Sequence, residues 1–171
     1  MKRTCVPLLA TTLLIAPSFL HAKGNTIRII ITGGDLAAPI EISDLAITTQ
    51  FHVWAGPGTG RMVGGKTLVS LDEPGLIIDW PGGIVEPPPK GLQIYNVSLV
   101  TTRTNPSTYT VRYAIDPATK NGYVYVPGKA DPEYRDNTWL IYRGNEGNWF
   151  NAWSEWEKVA RPLIAKNSRS R

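Results

Sequence analysis

Apolar and polar positions alternate most clearly between residues 92 and 126. Leu92 to Arg103, Thr108 to Ile115 and Gly122 to Val126 are rich in β-branched and aromatic residues, and the segments joining them, Thr104 to Ser107 and Asp116 to Asn121, are dense in turn formers. The pattern predicts an antiparallel meander. Successive side chains of a strand point to opposite faces, so Tyr109, Val111, Tyr113 and Ile115 share one face and Thr110, Arg112 and Ala114 the other. Upstream, Asn25 to Thr32 (NTIRIIIT) ends at Gly33-Gly34-Asp35 and precedes the alternating run Ala38 to Ile42, which predicts a hairpin. Ser43 suits an N-cap for a short helix from Asp44 to about Phe51, although Ile47, Thr48 and Thr49 fit a strand as well.

Ala55 to Gly65 (AGPGTGRMVGG) holds five glycines and a proline and predicts a loop. Thr67 to Leu71, Leu76 to Trp80 and, after the turn at Asp131-Pro132, Thr138 to Tyr142 are short strand candidates. The run Pro87-Pro88-Pro89 offers no amide donors and suits a sheet edge or a surface crossing. Near the end the period changes. Trp149, Trp153, Trp156, Ala160 and Leu163 recur at spacings of four, three, four and three, the stripe of an amphipathic helix capped by Asn148. Glu157 and Arg161 sit four apart beside the stripe, and Pro162 is expected to kink or end the helix near Ala160. The whole reads as α+β: a mainly antiparallel sheet centred on residues 92–127, covered on one face by the C-terminal helix. A small β-sandwich or partial barrel is the alternative.

The opening 22 residues change what chemistry is available. Lys2 and Arg3 precede an apolar run from Cys5 to Leu20, broken by Pro7 and Pro17, and Leu20-His21-Ala22 offers a small residue at a cleavage point. This is the pattern of a signal peptide, and the run is shorter than the roughly 20 apolar residues of a membrane span. Cleavage after Ala22 leaves a secreted or periplasmic chain of 149 residues without a membrane span, a length suited to one globular domain, here 23–165, with a basic disordered tail at 166–171. It also removes Cys5, the only cysteine, and His21, so thiolate chemistry, disulfides and cysteine-type zinc sites drop out and His52 is the one remaining imidazole. Two of the 18 basic residues and none of the 14 acidic ones lie in the leader, so the formal charge falls from +4 to +2. A nearly neutral domain gives no electrostatic reason to expect nucleic acid as a partner.

No HExxH, GxSxG, P-loop or calcium-loop pattern occurs, and neither a cofactor nor a metal is expected. Three tryptophans on a helical stripe are read as core rather than as a sugar platform, because a helix docked on a sheet needs such a stripe. Trp54 and Trp80 differ: each ends an apolar segment and runs into a glycine- or proline-rich loop. His52, Trp54 and Trp80 are therefore the candidate ligand-binding residues, and Asp79 and Glu86 the candidate catalytic carboxylates, since a glycoside hydrolase works with two carboxyl groups. Against this stands the reading that Trp54 and Trp80 are buried loop anchors, that His52, between apolar Phe51 and Val53, is structural, and that the acids are solvated, which the sequence favours over a shared cleft.

The segments IIITGGDLAAPIEISD (Ile29 to Asp44), FHVW (Phe51 to Trp54), GYVYVPGK (Gly122 to Lys129) and GNWFNAWSEWEKVARPLI (Gly147 to Ile164) resemble a group of bacterial exported proteins without assigned activity. The resemblance implies bacterial origin, export and a single α+β unit, and assigns no functional residue. The expected function is a non-enzymatic binding or structural module with a partner in the cell envelope or extracellular space. The alternative is a carboxylate-dependent hydrolase of glycans or envelope polymer.

Overall fold

The computed structural model describes residues 24–59, 61–63, 66–68, 76–86, 90–102 and 107–169; the segment expected to be a signal peptide, residues 1–22, lies outside them. In chain order the elements are β1 (Thr26–Gly33), β2 (Ile40–Ile42), α1 (Leu45–Thr48), β3 (Arg61–Val63), β4 (Lys66–Leu68), β5 (Ile84–Val85), β6 (Gln93–Thr101), β7 (Ser107–Ile115), β8 (Gly122–Tyr125), α2 (Pro132–Asn137), β9 (Trp149–Asn151) and α3 (Ser154–Asn167). Seven strands form one open sheet in the order β2-β1-β6-β7-β8-β9-β5, with every neighbouring pair antiparallel. β3 and β4 make a separate hairpin. The fold is α+β.

The sheet has one buried and one half-exposed face, and the period-two pattern is the cause. Tyr95, Val97 and Leu99 of β6 stand opposite Tyr113, Val111 and Tyr109 of β7, all at the bottom of the core, while Asn96, Ser98, Thr110 and Arg112 look the other way. α3 covers the apolar face through Trp156, Ala160 and Ile164, spaced four apart and buried. The Trp156 ring meets Phe51 and Tyr113 edge-on at 5.3 and 5.9 Å.

β8 spans only Gly122–Tyr125, so β7 outruns it, and side chains complete the ladder beyond its end. The Asn137 amide accepts from Thr110 N at 2.9 Å and donates to Thr110 O at 2.7 Å, and Trp139 Nε1 donates to Thr108 O at 3.0 Å. These bonds satisfy backbone groups that a longer β8 would have paired.

Several local expectations are corrected. Trp149–Asn151 is a strand, not the first turn of the helix: Phe150 is buried between Ile84 and Val124, and Trp149 and Asn151 face away from it. Pro162 stands inside α3, which continues to Asn167 because burial of Ala160 and Ile164 outweighs the one missing backbone bond of an exposed proline. Residues 166–169 are not a disordered tail. Ala37 N donates to Asn167 O, Arg169 N to Asp35 O, and Ser168 Oγ to Asp35 Oδ1, which ties the end of α3 to the loop after β1.

Residues 138–142 form turns, with Leu140 and Tyr142 buried, rather than a strand. Leu76, Ile77 and Ile78 are buried without alternation, and only Ile78 makes a bridge, to Ala152. The stretch expected to be all loop between 55 and 65 contributes β3, and the strand expected at 67–71 is described only through β4. α1 is capped by Asp44, whose Oδ1 accepts from Ala46 N at 2.9 Å, and is shorter than expected.

Candidate functional site

His52 and Trp54 are brought together, without the two carboxylates. They line a cleft of about 360 Å³ with Gly24, Asn25, Thr26 and Thr49. Trp54 Nε1 donates to Gly24 O at 2.8 Å, and its ring meets Trp139 edge-on at 5.6 Å, so the tryptophan pins the chain ahead of β1. Thr26 is 1% exposed, and its Oγ1 has no hydrogen-bond partner among the described residues.

Trp80 is a loop anchor. It is buried against Tyr142 and Phe150, and its Nε1 donates to Ala55 O at 3.1 Å. Asp79 caps the single turn at Trp80–Gly82, where Oδ1 accepts from Gly82 N at 3.4 Å. Glu86 follows β5 and lines a different cleft, of about 250 Å³, with Ile84, Val85, Gly147, Asn148 and Trp149. Gly147 has φ +82°, a left-handed conformation that suits glycine.

The larger arrangement lies on the sheet's half-exposed face. Register places Thr32 opposite Asn96, Asn96 opposite Arg112, Arg112 opposite Tyr125, Tyr125 opposite Trp149, and Trp149 opposite Val85. One residue from each of six strands forms an unbroken row, half-exposed along its whole length. At strand spacings of about 4.8 Å the part from Asn96 to Trp149 spans roughly 14 Å. The Tyr125 and Trp149 rings are 5.0 Å apart and tilted by 41°.

Arg112 is the best-held side chain of the row. Its Nε and Nη2 donate to the two oxygens of Glu133 at 3.1 and 2.7 Å, Nη2 also meets Asp131 Oδ1 at 2.9 Å, and the guanidinium lies 5.4 Å from the Tyr125 ring centre. Asp131 Oδ2 accepts from Tyr125 OH and from Gly128 N, each at 2.8 Å. The Arg112 hydrogen bonds hold the Glu133 carboxyl below its ordinary value. Partial burial pushes Asp131 upward, but the Tyr125 hydroxyl, the Gly128 amide and Arg112 together hold it below its ordinary value. Both acids are therefore carboxylates at neutral pH.

Alternation along β7 already separates Arg112 from the core residues, whereas Trp149 is hidden from sequence reasoning by its helical spacing to Trp153 and Trp156. Among the described residues no group of three or more His, Cys, Asp or Glu side chains is placed to hold a metal ion, and no helix is long and apolar enough to cross a membrane. Comparison of the chain with protein-family models, with curated proteins and with solved structures finds no match.

Proposed function

We propose that the protein is an exported, non-enzymatic binding module of the bacterial cell envelope or extracellular space, and that the row Asn96–Arg112–Tyr125–Trp149 is its recognition surface. The observation that carries this reading is the row itself: two adjoining aromatic rings and a fixed guanidinium, left half-exposed on the face opposite the main core. Its length favours an extended polymer over a single small molecule, and an uncharged glycan offers ring faces to Tyr125 and Trp149 and hydroxyls to the polar groups.

The electrostatics support binding over hydrolysis. Asp131 and Glu133 come close because they share Arg112 Nη2, yet both carboxyls are held below their ordinary values. A glycosidase acid needs the opposite shift, since it must keep a proton near neutral pH. Asp79 is engaged as a turn cap, apart from the cleft that Glu86 lines.

The test is incubation with isolated envelope glycans, measuring retention on the polymer and release of reducing ends. Retention without release, weakened by Tyr125→Ala, is the expected result. Release of reducing ends abolished by a carboxylate substitution overturns the non-enzymatic reading, and absence of retention overturns the glycan.

A further inference from the structure

The sheet ends at the β5–β9 edge, and the 250 Å³ cleft lies there, sharing Trp149 with the exposed row. Its acid is unusual within this protein. Of the 12 acidic side chains among the described residues, Asp35, Glu41, Asp44, Asp79, Asp116, Asp131, Glu133, Asp136, Glu146, Glu155 and Glu157 each accept a hydrogen bond or ion pair. Glu86 alone has no such partner among the described residues. Beside it in the lining is Asn148, whose Nδ2 makes two long bonds, 3.4 Å each, to Gly144 O and Glu146 O, leaving its Oδ1 to accept. Among the described residues no lysine or arginine lines the cleft, and Ile84, 58% exposed, gives it an apolar lip.

We infer that this cleft is a subsite for one neutral pyranose ring bearing adjacent hydroxyl groups, with Trp149 as its apolar wall and Glu86 as its acceptor. The inference rests on the glycan-binding reading above and adds to it a single-ring subsite and a residue that selects against acidic sugars. A carboxylate has two oxygens and takes two neighbouring O–H donors at once, a charge-assisted pair stronger than neutral hydrogen bonds. An aromatic ring meanwhile covers the C–H face of the sugar. The volume fits a single small ring rather than a chain segment. With no cation in the lining, an acidic sugar brings a second negative charge against Glu86 and is rejected, whereas a neutral sugar is not. Glu86 thus selects on charge at one end of the row, while the row supplies length.

The experiment follows the Trp149 indole N–H by NMR, assigned with Trp149→Phe, during titration with cellobiose, di-N-acetylchitobiose and glucuronic acid. Binding of a neutral disaccharide with Kd on the order of 1 mM, and at least about tenfold weaker binding of glucuronic acid, is expected. Glu86→Gln keeps the shape and the amide oxygen and removes the charge. It is expected to weaken the neutral sugar several-fold and to erase the preference over glucuronic acid. Equal affinity of the protein and Glu86→Gln for both sugars, or a Trp149 signal that no neutral disaccharide moves, overturns the subsite. Polymer retention with a silent Trp149 defeats the subsite and leaves the module reading intact. Disaccharide binding that depends on Glu86 without polymer retention does the reverse, and failure of both assays defeats both.

Discussion

Arg112→Met removes the charge at the centre of the exposed row while keeping an unbranched stem of similar reach. Arg112 makes two parallel bonds to Glu133 and one contact to Asp131, and the three side chains are 26%, 18% and 17% exposed. Deleting one member of a fully buried ion pair costs about 3–5 kcal/mol, and a fully exposed pair is worth about 0–1 kcal/mol. A site about a quarter open to solvent falls between, so about 2 kcal/mol is expected at pH 7, or roughly 4–8 °C in Tm for a domain of this size. The pH dependence gives the sharper check. Glu133 and Asp131 have folded-state pKa values below their ordinary ones, so the stability they contribute is fully present above the ordinary carboxylate range. It is lost as pH falls through the depressed values. The cost of Arg112→Met should therefore shrink as urea melts are taken from pH 7 into the acid range, as the two acids begin to take up protons. A cost that is the same at both ends, or below about 0.5 kcal/mol at pH 7, refutes the assignment of this cluster as an ion-paired unit.

Two further substitutions probe polar groups elsewhere. Thr26→Val replaces a buried hydroxyl without a partner by a methyl group of similar size, and should raise stability by about 1 kcal/mol in urea unfolding. A loss of that size would show that the hydroxyl is hydrogen-bonded in solution. Gly122→Ala sets a methyl group on top of the Glu157 carboxylate, which is engaged by Tyr113 OH and by Arg161. Displacing Glu157 leaves the buried Tyr113 hydroxyl unpaired, at a cost of about 2 kcal/mol. In a Glu157→Ala background the same glycine substitution should cost much less, and an unchanged cost would show that the clash is with the backbone instead.

The parts of the fold legible in the sequence are those whose period is sustained. β6 and β7 alternate from Tyr95 to Leu99 and from Tyr109 to Tyr113 before each ends in three consecutive buried residues, and Tyr95, Val97, Leu99 and their partners are buried as the pattern requires. Trp156 and Ala160 likewise fall on the buried side of α3. What was not legible depends on contacts distant in sequence. β9 has three residues, too few for a period, and it is a strand because β8 and β5 pair with it on both sides. α3 outlasts Pro162 because Ile164, Ser168 and Arg169 are held by tertiary contacts that no helix propensity includes. Asn137 reads as an ordinary polar residue until β8 proves too short to pair Thr110.

The same distinction explains why His52 and Trp54 are legible in the sequence and the exposed row is not. The first two are neighbours in one loop, and local sequence is enough to suspect them. The row takes one residue from each of six strands, so the separations between Asn96, Arg112, Tyr125 and Trp149 are set by turn and loop lengths and carry no spacing signal. Recognising it requires the register, and the register turns on β9. Read as helix, Trp149 joins the core stripe and the exposed face loses its largest aromatic. Read as strand, Phe150 takes the core position, Trp149 turns to Tyr125 on the opposite face, and Glu86 is carried to the same edge by β5. A one-residue slip of this three-residue strand would exchange the two faces, so the burial of Phe150 is what keeps Trp149 available for recognition.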